Sequence, residues 1–211
     1  SNAAYLEKAL SAFGIQLTDD DRKALIGTND KARIESLLSR SLVKVTAEDL
    51  AGKRRQVGNT YENSCIRPMP GVVSLIQEIR GRGIKTGLVT STSTRLIMIA
   101  LNRMRMTALF DVVICGDMCA NHKPDPECYK KAMDYLGAEP CKCIVFEDSA
   151  VGIHAARLAG ARVAAYRGSG IQQDVSEADL IVDSYDECKD MLDDIMQGKI
   201  TQGRITQGVI M

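Results

Sequence analysis

Residues 143–149, Cys143-Ile144-Val145-Phe146-Glu147-Asp148-Ser149, are the stretch of sequence that decides the fold. Four apolar residues are followed at once by two acids and a hydroxyl. A short run that is apolar throughout indicates a strand buried on both faces, as in a parallel sheet covered by helices. Two adjacent carboxylates at the end of such a strand repel each other and are costly to bury without a cation. The stretch therefore predicts a parallel-sheet core with a charged site at a strand end.

The same alternation of strands and helices extends to both sides of this stretch. The predicted strands span 84–90, 112–115, 143–146, 162–166 and 180–182, and the predicted helices span 95–103, 126–136, 150–159 and 186–196. Buried strands that alternate with helices form a parallel sheet with helices on both faces. Because ligands bind beyond the carboxyl ends of the strands in such sheets, we look for the chemistry there.

The N-terminal part of the chain has a different texture. Residues 4–64 contain no proline and show helical periodicity in four amphipathic stretches, which predicts a four-helix unit. Such a unit is small for a stable domain and should pack on something larger. The predicted divisions are a tag remnant at 1–3 (Ser-Asn-Ala), a helical domain at 4–67, an α/β core at 68–196 and a C-terminal tail at 197–211.

The composition excludes several classes of protein. Lys and Arg together number 27, as do Asp and Glu, so the formal net charge is zero and broad binding to nucleic acid or anionic membranes is not expected. No apolar run approaches the roughly 20 residues of a membrane span, and no signal-peptide pattern opens the sequence. We therefore expect a cytoplasmic protein.

The seven cysteines are an odd number at irregular spacing, which is typical of reduced thiols in a protein without a secretion signal. Cys115, Cys119 and His122 lie near one another in the sequence, but no fourth ligand stands at a metal-like spacing. A buried thiol is the ordinary explanation for Cys115 at the end of an apolar run. We do not expect a zinc site.

Three of the predicted strands end in, or are followed by, polar or charged side chains that could bind a ligand. Thr90 and Ser91 place hydroxyls after one strand, Lys123 stands in a loop stiffened by two prolines after the next, and Glu147 and Asp148 end the third. Each feature taken alone has a structural explanation, as a helix cap or a surface lysine. Together they compose a pocket for a phosphate group and Mg²⁺, of the kind that phosphoryl transfer needs.

In this order the segments resemble the motifs of the haloacid dehalogenase superfamily, in the helical-cap subfamily that includes phosphoglycolate phosphatases and β-phosphoglucomutases. The matching segments are 69–72 (Met-Pro-Gly-Val), 88–91 (Leu-Val-Thr-Ser), 123–126 (Lys-Pro-Asp-Pro) and 145–160 (Val-Phe-Glu-Asp-Ser through Ala-Gly). The resemblance covers nearly all of residues 4–195. It implies a Rossmann-like parallel-sheet core of the α/β class with a small four-helix cap domain.

The resemblance also implies the roles of the site residues. Thr90 and Ser91 would bind the phosphoryl group, with Thr90 donating a hydrogen bond to it. Lys123 would neutralise the nucleophile and a phosphate oxygen. Asp148 would bind Mg²⁺, with Glu147 assisting directly or through water.

The function implied is Mg²⁺-dependent hydrolysis of a small phosphorylated metabolite through an aspartyl-phosphate. A sugar-phosphate mutase similar to β-phosphoglucomutase is the alternative among enzymes, and a non-catalytic protein that binds a phosphorylated ligand is the alternative outside them. Arg54 and Arg55, on the fourth cap helix, could meet an anionic substrate, although a solvated basic face is also consistent with them.

The sequence departs from the family in its first motif, a central strand that ends in Asp-x-Asp and supplies the nucleophile and the general acid/base. No such strand precedes Tyr5, and Asp19-Asp20-Asp21 begins a helix within the cap. Either a truncated start or a natural loss would account for this. In both cases we expect the first core strand to be missing and the 211-residue chain to be inactive.

The tail has a pattern of its own. Residues 200–210 read Ile-Thr-Gln-Gly-Arg-Ile-Thr-Gln-Gly-Val-Ile, a short repeat rich in β-branched residues. A missing central strand would leave two neighbouring strands with unpaired backbone groups. We hypothesise that the tail, from the same molecule or from a neighbour, pairs with an exposed strand edge. The alternative is an irregular extension, which its glycines favour, and either a monomer or a dimer is compatible with the sequence.

Overall fold

A computed structural model describes residues 2–25, 31–170, 172–199 and 207–211. The chain divides into two compact units, Ser1–Ile66 and Arg67–Met211. The helices of the first unit are α1 (Asn2–Ser11), α2 (Asp19–Ala24), α3 (Lys31–Leu38), α4 (Ala47–Val57) and α5 (Thr60–Asn63). Four of them overlap the four predicted amphipathic stretches, and α5 is an additional short helix that the sequence analysis did not indicate.

Polar caps and a small aliphatic core hold the first unit together. Thr46 caps α4 in a reciprocal arrangement with Asp49. Thr18 does the same at the start of α2, where its backbone N–H and its hydroxyl each donate to the Asp21 carboxylate at 2.9 Å. The Arg40 guanidinium donates to both oxygens of the same carboxylate, at 2.7 and 3.0 Å. The apolar faces of the helices meet in a cluster that includes Leu10, Ile15, Leu37 and Leu50.

The second unit is a parallel sheet with helices. Its strands are β1 (Lys85–Val89), β2 (Val112–Ile114), β3 (Cys143–Glu147), β4 (Arg162–Tyr166), β5 (Leu180–Val182) and β6 (Gly208–Ile210). Its α-helices are α6 (Val72–Gly81), α7 (Thr94–Met104), α8 (Glu127–Leu136), α9 (Ala150–Leu158), α10 (Tyr185–Asp190) and α11 (Leu192–Gln197). The α/β class and the parallel sheet predicted from the sequence are confirmed. The single helix predicted at 186–196 is two helices, broken at Met191.

The strand order is β2-β1-β6-β3-β4-β5, with every neighbouring pair parallel. The last segment of the chain therefore lies in the middle of the sheet. Val209 pairs with Thr86 of β1 on one side and with Ile144 of β3 on the other. Among the described residues no strand precedes the first helices, and the central place in the sheet is taken by β6, from the C-terminal part of the chain.

This pairing confirms the hypothesis about the tail for the part of it that the structure describes. Beyond the three residues of β6, Met211 continues the ladder: its N–H donates to the Gly87 carbonyl at 2.9 Å, and its carbonyl accepts from the Val89 N–H at 2.8 Å. The pairing is made within one chain. Residues 200–206 of the predicted tail lie outside the described residues.

Two apolar layers cover the faces of the sheet. One cluster joins buried residues of α6, α7, α10 and α11 to the sheet and includes Val209 of β6. The other joins α8 and α9 to the opposite face and includes Ile210. Because Val209 and Ile210 are 1% and 0% exposed, β6 contributes to both layers and fixes the sheet between them. In the part of the chain that the structure describes, no helix is both long and apolar enough to cross a membrane.

We predict that truncation of one side chain on β6 destabilises the whole second unit. Ile210→Ala removes a fully buried side chain and should lower the free energy of unfolding by about 2–5 kcal/mol, measured by urea denaturation followed by circular dichroism. Ile181→Ala, on the outer strand β5, where the side chain is 41% exposed, is the matched control. It should cost about 0.5 kcal/mol or less. Equal effects of the two substitutions would contradict the central position of β6.

We predict that Asp21 stabilises the first unit in a pH-dependent way. The hydrogen bonds from Arg40 and Thr18 hold the pKa of the Asp21 carboxyl well below its usual range. The stabilisation is therefore complete above the ordinary pKa of about 4 and is lost as the pH falls below it. Asp21→Asn should lower the melting temperature at pH 7, and its difference from the wild type should shrink in acid. The exposed neighbour Asp20→Asn should behave like the wild type at both pH values.

Candidate functional site

The carboxyl ends of β1, β6 and β3 lie side by side at one edge of the sheet, because the three strands are adjacent and parallel. Thr90 follows β1, Met211 follows β6, and β3 ends in Glu147 with Asp148 directly after it. In the observed register Ile210 pairs with Gly87 and Val145. A residue placed after Met211 would thus stand level with Val89 and Glu147, between the hydroxyl end of β1 and the carboxylate end of β3.

Thr90 is held in place by its backbone and keeps a hydroxyl proton to donate. Its N–H donates to the Ile114 carbonyl at 3.0 Å. Its Oγ1 accepts from the Thr92 N–H at 3.2 Å. Among the residues that the structure describes, the Thr90 hydroxyl proton has no acceptor. The chain passes close by Gly116, where a Cβ atom would lie 2.4 Å from the Ser91 carbonyl oxygen. The turn that carries Thr90 and Ser91 is therefore packed tightly against the segment after β2.

Lys123 stands in a loop whose backbone is tied at its base. The Glu127 carboxylate accepts from the N–H groups of Ala120 and Asn121 at 2.9 and 2.8 Å. The Asp125 N–H donates to the His122 carbonyl at 2.9 Å, and the peptide bond before Pro124 is cis. The side chain of Lys123 is only 6% exposed. The stiff loop that the two prolines predict thus carries a buried ammonium group.

The ammonium of Lys123 meets two side chains. It donates a hydrogen bond to Oε1 of Glu147 and another, of 2.9 Å, to the hydroxyl of Tyr129. It also lies 4.7 Å from the centre of the Tyr129 ring. A buried cation is tolerated when a carboxylate and hydrogen bonds replace its water. The contacts explain how the loop after β2 is joined to the end of β3.

Glu147 is saturated with donors. Its Oε1 also accepts from the Tyr129 hydroxyl at 2.8 Å. Its Oε2 accepts from the Asp148 N–H, the Ser149 N–H and the Ser149 hydroxyl at 3.0, 3.0 and 2.9 Å. Burial opposes its charge, but the Lys123 ammonium and these donors hold the pKa of Glu147 below its ordinary value. Gly152 makes room for this carboxylate, since a Cβ there would lie 2.1 Å from its carbon.

Asp148 is the second carboxylate at the end of β3, and its side chain interacts with Ser169. Burial and the neighbouring charge of Glu147 raise the pKa of Asp148, so its charged form is disfavoured until a positive charge approaches. Mg²⁺ is commonly held by one or two carboxylates together with water and phosphate oxygens. Asp148 fits one such ligand, whereas both Glu147 oxygens are engaged with protein donors. No group of three or more His, Cys, Asp or Glu side chains within the described ranges could hold a metal by itself.

Tyr129 is the site residue that the sequence analysis missed. It lies in the first turns of α8 and is fully buried, with its hydroxyl between Lys123 and Glu147. Nothing in its spacing separates it from the apolar residues that α8 packs against the sheet. A motif search centred on charged residues does not find it.

The expectation of reduced thiols is wrong for two of the cysteines. Cys119 and Cys128 form a disulfide with their Cα atoms 5.9 Å apart. Cys65, Cys115, Cys141, Cys143 and Cys188 are free. The bonded pair stands at the two ends of the loop that carries Lys123. The Cys119 sulfur is bonded to the Cys128 sulfur. It is therefore not available as a zinc ligand beside Cys115 and His122.

Arg54 and Arg55 lie in the last turn of α4, in the first unit, and both are exposed. The remaining predicted site residues all lie in the second unit. A substrate role for the two arginines stays a prediction.

The comparisons with known proteins agree with this geometry. Residues 2–166 match the family model of the haloacid dehalogenase-like hydrolases. The chain is 29% identical, over 72% of its length and 71% of the relative's, to a phosphorylated carbohydrates phosphatase of Thermotoga maritima. It is 28% identical to an N-acetylmuramic acid 6-phosphate phosphatase of Pseudomonas aeruginosa, over 90% of this chain and 86% of the other.

The fold also matches a solved structure. CbbY of Rhodobacter sphaeroides, solved in complex with phosphate, superposes with a TM-score of 0.76 at 25% identity, over 89% of this chain and 88% of that one. The sheet, the charged strand ends and the family match lead to one assignment. The chain belongs to the haloacid dehalogenase-like hydrolase family.

Proposed function

We propose that the protein is built for Mg²⁺-dependent hydrolysis of phosphate monoesters of small molecules. The observation that carries this proposal is the buried Lys123 ammonium, held beside the half-buried Asp148 carboxylate at the end of β3. A cation and a cation-seeking carboxylate at one strand end suit a phosphate dianion and a divalent metal. The phosphatases among the relatives support the same reaction class.

In this proposal each side chain has a definite task. The Thr90 hydroxyl donates its proton to a phosphate oxygen, and Ser91, the next residue after β1, binds the same phosphate group. Lys123 offsets negative charge on the phosphate, and Asp148 holds Mg²⁺. The metal supplies charge neutralisation at the transferring phosphoryl group. Glu147 acts through Lys123 and the 147–149 turn, rather than as a metal ligand.

The attacking group is the part of the reaction that β6 does not carry. Its residues are Gly208, Val209 and Ile210, followed by Met211, and the thioether of a methionine cannot form an acyl phosphate. The family resemblance places an Asp-x-Asp motif at the end of a central strand. By the observed register a residue after Met211 would stand level with Val89 and Glu147, which supports the proposal that the attacking carboxylate belongs there.

We predict that the 211-residue chain binds phosphate without turnover, and that a short extension confers activity. The tetrapeptide Asp-Leu-Asp-Gly appended after Met211 would set two carboxylates between Thr90 and Asp148. We expect the extended protein to release phosphate from p-nitrophenyl phosphate and from some members of a sugar-phosphate panel, and to require Mg²⁺ for this. The matched control carries Asn-Leu-Asn-Gly and should be inactive.

Two outcomes would contradict the proposal. One is turnover by the unextended chain that depends on Mg²⁺ and proceeds at ordinary rates. The other is a folded extended protein that binds phosphate and hydrolyses no ester, which would favour a phospho-ligand-binding protein. Isomerised sugar phosphate in place of released phosphate would favour the mutase. In a version extended upstream of Ser1, an added Asp-x-Asp strand could take the central place only by displacing β6. Activity of that version would therefore show that β6 can be replaced there.

We predict that Asp148 accounts for the effect of Mg²⁺ on stability. Without metal, Asp148→Asn should leave the melting temperature unchanged or raise it, because it removes a carboxylate whose charge is disfavoured by burial and by Glu147. With millimolar Mg²⁺ the wild type should gain stability and the variant should not. Asp134→Asn, an exposed position on α8, is the control and should respond like the wild type. A full Mg²⁺ response in Asp148→Asn would remove that carboxylate from the proposed metal site.

A further inference from the structure

We infer that Tyr129 is a positioning residue, whose hydroxyl aims the Lys123 ammonium at the phosphate-binding edge of the sheet. The inference deepens the proposed function, on which it rests. It follows from how three buried groups divide their hydrogen bonds.

The direction of the Tyr129 hydroxyl bond is fixed by its neighbours. Burial and the negative charge of Glu147 raise the pKa of Tyr129 well above its ordinary value, so the phenol keeps its proton. A neutral phenol has one proton to give, and the Lys123 ammonium can only donate. The Tyr129 proton therefore goes to Glu147 at 2.8 Å, and its oxygen accepts from Lys123 at 2.9 Å.

This arrangement determines the orientation of the ammonium group. A lysine ammonium has three N–H donors. Glu147 takes one and Tyr129 takes a second. The third N–H of Lys123 has no acceptor among the described residues, and the side chain is only 6% exposed. With two donors held by rigid partners, the third is held in one direction and is available to an anion from outside.

Tyr129 is suited to this task because it is itself immobile. It is fully buried on α8, within the cluster that packs this helix against the sheet. Its ring lies under the ammonium, which adds a cation–π contact. Glu147, the other partner, is fixed by three donors from the turn after β3. The ammonium is thus held between two elements that the sheet positions independently.

The experiment compares Tyr129→Phe with the wild type in the unextended chain. Phenylalanine keeps the ring, the packing and the cation–π contact and removes only the hydroxyl. The probe is inorganic phosphate in the presence of Mg²⁺, with the dissociation constant measured by calorimetry. We expect Tyr129→Phe to weaken phosphate binding about tenfold, the size expected for a hydrogen bond to a charged group. Tyr135→Phe, at an exposed tyrosine of the same helix, should bind like the wild type.

A second measurement reads the ammonium directly and does not need phosphate. Exposed lysine ammonium groups exchange protons with water too fast to be seen by ¹⁵N NMR at neutral pH, whereas a buried, hydrogen-bonded one gives a signal. The wild type should show a Lys123 Nζ signal, identified by its loss in Lys123→Met. The signal should shift or broaden in Tyr129→Phe and stay unchanged in Tyr135→Phe.

The outcomes separate the inference from the function it rests on. Equal phosphate affinity in Tyr129→Phe and the wild type overturns the positioning role. If the wild type binds no phosphate, the proposed function fails, and so does a role in aiming the ammonium at phosphate. The NMR signal then decides whether Tyr129 orients Lys123 at all, and a signal unchanged in Tyr129→Phe refutes that as well. Weaker binding together with a changed signal supports the inference.

Discussion

The structure of the second unit depends on the backbone hydrogen bonds of one three-residue strand. A parallel sheet covered on both faces leaves no water for the strands at its centre, so each N–H and carbonyl there needs a partner in the sheet. β6 provides these partners to β1 on one side and to β3 on the other. It also brings one side chain to each apolar layer. The two strands that carry Thr90 and Asp148 are held in register through it.

As β6 joins the two halves of the sheet, Glu147 joins the segments that form the candidate site. A carboxylate with all its acceptor positions in use is a structural joint, and this one links the loop after β2, the first turns of α8 and the turn before α9. The arrangement assigns different tasks to two adjacent acids. Glu147, whose charge is favoured by Lys123 and by its hydrogen-bond donors, holds the lysine. Asp148, whose charge is disfavoured by burial and by Glu147, is the carboxylate that we propose as a Mg²⁺ ligand. The resemblance to the family implied that Asp148 binds Mg²⁺ and that Glu147 assists it directly or through water.

The sequence predicted those features that depend on local pattern. The run from Cys143 to Phe146 identified β3, and the acids after it identified the charged strand end. The prolines around Lys123 predicted a stiff loop. Features that depend on contacts between residues far apart in the sequence could not be predicted from local pattern. Tyr129 is indistinguishable from a packing residue until Glu147 is beside it, and among seven cysteines only the fold selects Cys119 and Cys128. The division between α10 and α11 falls at Met191, and neither glycine nor proline stands there to indicate it in the sequence.

The position of β6 also has a consequence in time. Its partners β1 and β3 are made long before it during synthesis, and parallel pairing over such sequence separations is slow to form. The first unit and the helices can form as they emerge, but the edges of β1 and β3 stay open until β6 has been made. Until then the nascent chain presents two apolar strands with free backbone groups, the kind of surface that recruits chaperones or aggregates. The sheet is therefore completed only after its other five strands have been made.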